Sequence, residues 1–357
     1  MSTTQKTSRH VALVSDAWLP QTNGVVRTLQ TTISILERRG HKVTVISPLD
    51  FKTVPCPTYP EISLSVFPKR KLFKWLDALN PDCVHIATEG PLGLAARRYC
   101  TKQELPFTTA FHTRFAEYIS ARTRLPESWS YAFLRWFHNG GEASMVPSQS
   151  MIDTLKEKKF KNPVLWTRGV RLDVFRPADK KPDVFLGLKA PVAICTGRIA
   201  TEKNLKAFLD MPWQGSKVII GDGPLLKTYK TRYPDVIFKG YLNDNEMVRH
   251  LQAADVFVFP SRTETFGNVV TEALACGLPV ACYPETGPMD ILEKSRQIGY
   301  SVNDVGAIDT NLENAALSAL GGKPEICRKL AESFSWEEVT DQFFNHLALI
   351  NKHKNAA

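Results

Sequence analysis

The 357-residue sequence predicts an α/β protein built from two Rossmann-like, doubly wound domains. Three observations carry that prediction. The length exceeds what one hydrophobic core usually organises, so two domains of about 170 residues are expected, and an apolar share of 43% is enough to fill both. Short apolar runs alternate with stretches of helical period, the pattern of parallel sheets and not of a sandwich. The alternation also starts afresh near residue 191, after a linker-like stretch at 168–177.

In the first series, 10–15 reads as a strand, 24–39 as a helix and 42–47 as the next strand. Segments 82–86 and 107–111 continue the sheet, and 143–147 closes it. In the second series, strands are expected at 191–196, 216–220, 236–239, 255–259 and 279–282. Phe334-Ser-Trp336 opens a last helical pattern that runs to Leu349. The expected division is 1–170, 171–335 and a terminal helix in 336–357. Two such domains facing across a cleft would turn the carboxyl ends of both strand sets toward a ligand. No internal repeat or low-complexity tract is visible.

Composition narrows the function classes. The polar start, 1–10, lacks the apolar stretch of a secretory signal, and no run approaches the ~20 apolar residues that span a bilayer. A cytoplasmic protein is expected, soluble or peripheral at the inner face of the cytoplasmic membrane. The 7 cysteines, scattered without close pairs, fit a reducing compartment and neither a disulfide framework nor a zinc site. Cys195, Cys276 and Cys282 sit in apolar contexts and read as core. Residues 1–165 hold 22 Lys and Arg against 13 Asp and Glu, and the remainder 23 against 23, so the whole net charge of +9 belongs to the first half. That asymmetry points to an acidic partner, anionic lipid or nucleic acid.

The most informative segment is Phe259-Pro-Ser-Arg-Thr-Glu264-Thr-Phe-Gly267-Asn-Val-Val-Thr-Glu272-Ala-Leu-Ala-Cys-Gly277. A buried strand ends at Phe259, a turn follows at Thr265 to Gly267, and a helix runs from Asn268 to a terminating glycine at Gly277. The first N–H groups of such a helix and its positive dipole end attract a phosphate. Glu264 lies just before that site and Glu272 about 7 Å along the axis at ~1.5 Å per residue. The two carboxylates can therefore accept hydroxyls on opposite sides of a diphosphate, which describes a nucleotide sugar.

This segment resembles the Glu-x7-Glu signature of the retaining family-4 glycosyltransferases of the GT-B fold, and Ala-Leu-Ala-Cys-Gly-Leu-Pro-Val280 continues the match. The resemblance runs from about His10 to Leu349. It implies a nucleotide-sugar donor bound by the second domain, with Thr265, Phe266, Gly267, Asn268 and Val269 at the phosphates, Glu264 on the sugar and Glu272 on the ribose. The family's Gly-Arg…Lys-Asn motif matches Thr196-Gly197-Arg198-Ile-Ala-Thr-Glu-Lys203-Asn204, which assigns Arg198 and Lys203 to the pyrophosphate. Gly221-Asp222 would line the donor pocket, and Tyr241-Leu242 would present backbone groups to the base. In the first domain, Asn23-Gly24 follows strand one, where the family's loop covers the donor diphosphate. His112, in Phe111-His112-Thr113, matches a residue beside the transferred sugar.

Arg168 stands where many members carry asparagine, whereas the lipid-glycosylating branch, sulfolipid-synthase-like enzymes and alpha-mannosyltransferase-like enzymes included, tends to carry arginine. Arg171 replaces the usual aspartate of that turn. Two aromatic-basic clusters fit a membrane interface. One is Lys69-Arg70-Lys71-Leu-Phe-Lys74-Trp75; the other runs through 115–137 and contains Arg122, Arg124, Trp129 and Arg135.

The expected function is a retaining transfer of a hexose or hexuronate to a membrane lipid such as diacylglycerol. UDP-glucose or UDP-glucuronate is favoured over GDP-mannose, with no metal and no cofactor. The rivals are a GDP-mannose-dependent alpha-mannosyltransferase acting on a glycolipid or oligosaccharide, a sugar-nucleotide epimerase, a sugar-nucleotide sensor, and a nucleic-acid-binding protein for which no recognition motif exists.

Overall fold

A computed structural model describes residues 8–21, 23–56, 59–112 and 126–351. The chain divides into two compact units, residues 1–167 with 337–357, and Arg168–Trp336.

The first unit holds a six-stranded parallel sheet in the order β2-β1-β5-β6-β7-β8. Its strands are β1 (His10–Val14), β2 (Lys42–Ile46), β5 (Cys83–Ile86), β6 (Thr108–Ala110), β7 (Ala143–Val146) and β8 (Pro163–Leu165). The sheet does not close at 143–147, because β8 pairs beyond β7 as the edge strand. Its first residue, Pro163, has no N–H to offer a further neighbour. Between β2 and β5 the chain makes an antiparallel hairpin, β3 (Thr53–Cys56) with β4 (Tyr59–Ser65), outside the main sheet. Helix Gly24–Arg38 forms because Val26, Leu29, Ile33 and Leu36 recur at helical spacing, and Asn23 caps it by accepting from the Val26 N–H at 3.0 Å.

Helix Trp336–His346, near the chain's end, completes this unit. Its Phe343 ring lies 4.8 Å from the His85 ring of β5 and 4.9 Å from the Trp166 indole, and all three side chains are fully buried. Phe344 stacks on His41 at 4.3 Å. Truncating a buried phenylalanine in such a cluster costs about 3–5 kcal/mol. The helix is therefore part of the first unit's core.

The second unit holds β9 (Val192–Thr196), β10 (Ser216–Ile220), β11 (Ile237–Gly240), β12 (Val256–Phe259), β13 (Val280–Cys282) and β14 (Gly306–Ile308), parallel in the order β11-β10-β9-β12-β13-β14. Alternation along its strands sends side chains to two cores. Ile194, Val218, Ile220, Phe257 and Phe259 face one; Ala193, Cys195, Ile219, Val256 and Val258 face the other. Cys195, Cys276 and Cys282 are buried, and burial pushes each thiol up to about 12, so they are inert core residues.

Candidate active site

In the second unit the chain runs from β9 outward to β10 and β11, then returns to the far side of β9 with β12. Between the carboxyl ends of β9 and β12 the strand order reverses, and open parallel sheets take their ligands at such a crevice. Gly197, Arg198 and the turn Thr201–Lys203 follow β9; Glu264 and helix Asn268–Ala275 follow β12. Lys203 Nζ donates to Glu264 Oε1 across the gap, with the two side chains 29% and 18% exposed. The loops are braced by the Asn204 amide donating to the Pro260 carbonyl at 3.0 Å and by the Thr263 hydroxyl donating to the Glu202 carbonyl at 3.3 Å. Arg198 is exposed beside them.

Gly267 turns the chain into the helix at φ 98°, a left-handed conformation that favours glycine. The N–H groups of Asn268 and Val269 open the helix, that of Val270 donates to the Gly267 carbonyl at 2.9 Å, and the dipole is positive at this end. Thr265 is half-buried, and buried Phe266 packs edge-on against Phe334 at 5.8 Å. Glu272 is half-buried in the second turn.

Gly221 has a structural requirement of its own. At φ 141°, a β-carbon there would stand 1.9 Å from the Gly197 carbonyl oxygen, so the loops after β9 and β10 touch backbone to backbone. Asp222 is exposed, and its carboxylate accepts from the Gly223 N–H at 2.7 Å. Tyr241, 81% exposed, and half-buried Leu242 follow the edge strand β11, two strands away from β9. Arg168 opens the second unit at 5% exposure, and burial pushes its pKa down to about 9, which leaves it charged at neutral pH.

In the first unit the equivalent crevice lies between β1 and β5, and a residue given no role from sequence sits there. Asp16, 5% exposed, accepts from the Leu92 and Gly93 N–H groups at 2.9 and 3.2 Å and from the Thr88 hydroxyl at 2.9 Å, capping helix Pro91–Lys102. Burial raises its pKa against the lowering effect of these donors. Asn23, besides capping its own helix, donates to Gln21 Oε1 at 3.1 Å, and Gly24 is the first helical residue. His112 follows β6 with its ring edge-on to Trp166 at 5.6 Å.

The expected membrane face divides. Trp129, Phe133 and Trp136 share one exposed stripe of helix Glu127–His138, at 70%, 39% and 52% exposure. Arg135 is off that stripe: it is half-buried and donates to the Lys158 carbonyl at 3.1 Å, which removes it from the interfacial set. A groove of about 590 Å³ adjoins Trp136 and is lined also by Lys69, Leu94, Arg97, Arg98 and Lys102. Lys71 turns elsewhere, over the Phe51 and Trp75 rings. Arg70 and Lys74 are exposed. Arg122 and Arg124 lie outside the described residues. No helix among the described residues is long and apolar enough to cross a membrane.

Two family profiles match, "Glycosyltransferase Family 4" over residues 22–174 and "Glycosyl transferases group 1" over 190–316. The chain belongs to the family-4 glycosyltransferases. This glycosyltransferase is similar to the GDP-mannose-dependent alpha-mannosyltransferase of Corynebacterium glutamicum, 29% identical across 95% of this chain and 88% of that protein. It is also similar to the alpha-monoglucosyldiacylglycerol synthase of Streptococcus pneumoniae, 28% identical across 76% of this chain and 70% of that protein. Sucrose-phosphate synthase from Thermosynechococcus elongatus shares the GT-B fold, with a TM-score of 0.70 at 18% identity over 94% of this chain and 98% of that one.

Proposed function

We propose that the protein is a retaining hexosyltransferase that moves a sugar from a nucleotide diphosphate donor to a membrane lipid such as diacylglycerol, giving an α-linked glycolipid. The observation that carries the donor half is the Lys203–Glu264 pair bridging the switch point beside the helix start at Gly267. In this reading the diphosphate displaces that pairing. Lys203 and Arg198 take the phosphate oxygens with the helix N–H groups, Glu264 turns to sugar hydroxyls, and Glu272 accepts the ribose. The bond from the sugar's anomeric carbon to the phosphate oxygen breaks, and a bond to the acceptor oxygen forms on the same face. The acceptor's proton passes to the leaving phosphate. Two cations and a helix start supply the stabilisation that leaving-group charge needs.

The lipid half is supported by the aromatic stripe beside a groove lined by four cations and no carboxylate, and by the name of the Streptococcus relative. A GDP-mannose donor is the second reading, favoured by the name of the Corynebacterium relative; the UDP-sugar reading rests on resemblance to lipid glucosyltransferases.

The test supplies radiolabelled UDP-glucose, UDP-glucuronate, UDP-galactose and GDP-mannose, each with diacylglycerol vesicles, followed by lipid extraction. One donor is expected to give a labelled lipid that an α-glycosidase cleaves, with turnover unchanged by EDTA. Donor hydrolysis with no labelled lipid would remove the lipid acceptor, and a β-linked product would remove the retaining mechanism.

A further inference from the structure

The segment that carries Glu264, between Phe259 and Asn268, has no regular structure of its own, so nothing within it fixes the direction of that carboxylate. On the β9 side it is tied through Pro260 and Thr263. On the β13 side it meets the loop Tyr283 to Gly287, which sequence reasoning did not single out. Arg262, two residues before Glu264, donates to Glu285 Oε1 at 3.0 Å, and its guanidinium lies 3.7 Å above the ring of buried Tyr283. The Thr286 hydroxyl donates to the backbone carbonyl of Glu264 itself at 3.1 Å. At Gly287, φ 89°, a β-carbon would stand 2.7–2.8 Å from the backbone of Phe266, so only glycine lets the two loops come this close.

From these contacts we infer that Arg262, Glu285 and Thr286 form a positioning clamp that sets the direction of the Glu264 carboxylate for the transfer step. The inference rests on the role given to Glu264 above. Arg262 is 48% exposed and Glu285 29%, so as an ion pair they add little to stability. Stacking on Tyr283 fixes the guanidinium plane, and the ion pair then fixes the neighbouring loop. A reacting group displaced by a fraction of an ångström loses rate far more readily than the fold loses stability. Arg262 and Glu285 are thus positioning residues, acting through Glu264 and not on the substrate.

The experiment compares Arg262→Ala, Glu285→Ala, the double alanine variant, and the exchange Arg262→Glu with Glu285→Arg, using the donor that turns over with diacylglycerol vesicles. A clamp predicts that each single variant lowers kcat about tenfold, with the KM for donor and the affinity for the nucleoside diphosphate within about twofold. The double variant is no worse than either single one, because the two act as a unit. The exchange, which restores the pair in reverse, recovers kcat to within about threefold. Amide hydrogen exchange of 260–267 is expected to quicken in the single variants, a readout independent of turnover. Multiplied losses in the double variant, a rise in donor KM, or kcat and exchange both unchanged in the single variants would overturn the clamp. Glu264→Gln is assayed in parallel: full activity of that variant removes the role of Glu264, an outcome distinct from failure of the clamp.

Discussion

The two sheets of this molecule treat their switch points in opposite ways. In the second unit the strands, taken in chain order, lie 3-2-1-4-5-6, and the crevice between β9 and β12 is flanked by a partly buried cation–carboxylate pair and by a helix start at Gly267. In the first unit the third strand is replaced by the β3–β4 hairpin, and the crevice between β1 and β5 is filled by Asp16, which occupies the N-terminus of helix Pro91–Lys102. The same physics serves both. A helix start attracts an anion; in the first unit the chain supplies its own, and in the second the proposed donor diphosphate would take that place.

The largest effect expected from this contrast is on catalysis. Lys203→Ala is expected to lower kcat by about 10²–10³, since in the proposed reaction it removes a stabiliser of leaving-group charge, whereas the unfolding free energy in urea is expected to fall by only about 1 kcal/mol because the pair is still partly solvated. Asp16→Ala is expected to do the reverse. It leaves two backbone donors at a buried helix start without their acceptor, for a loss of about 2 kcal/mol on denaturant unfolding, while nucleoside diphosphate affinity is kept. Equal loss of stability in both variants would show that the crevices are alike after all.

Much of this was legible in sequence where the signal is local. The strand expected at 191–196 is Val192–Thr196, and that at 255–259 is Val256–Phe259, because each is an unbroken apolar run that a central parallel strand requires. Strands β8 and β14 are not legible in sequence: each is a short strand at the edge of its sheet, held by its one neighbour, which a local pattern does not encode. The same holds at the site. Glu264, Lys203 and the helix start lie within recognisable motifs, whereas Glu285, Thr286 and Asp16 matter through partners 23, 22 and 76–77 residues away.

A second effect separates the units by pH. His85, buried in the first unit against Trp166 and Phe343 with Nδ1 2.9 Å from the Thr108 hydroxyl, has its pKa lowered by burial to about 3. Its folded pKa lies below the unfolded value of about 6.5, so between those limits the unfolded chain binds the extra proton. The stability of the neutral, buried form is complete above pH 6.5 and falls by about 1.4 kcal/mol per pH unit below it. Helix Trp336–His346 packs directly on this ring and is expected to lose hydrogen-exchange protection first as pH falls from 6.5 to 4. His85→Phe, which cannot take the proton, should flatten that dependence in the first unit. Identical acid sensitivity in wild type and variant would assign the loss to other groups.

The smallest expected effects concern the aromatic-basic face of the first unit. Each cation near an anionic bilayer contributes about 1 kcal/mol, roughly fivefold in partitioning, and falls away with salt. Arg98→Ala and Lys102→Ala are therefore each expected to weaken sedimentation with phosphatidylglycerol vesicles about fivefold at low salt, and much less at high salt. Trp129→Ser and Phe133→Ser should weaken binding at both salt concentrations, because they remove apolar insertion and leave charge untouched. Arg135→Ala, off the stripe and bonded to Lys158, is expected to leave vesicle binding within twofold of wild type. If Arg135→Ala weakened binding as much as Arg98→Ala, the bilayer would be reading the net charge of the first half of the chain and not a face set by helix Glu127–His138 and the groove beside it.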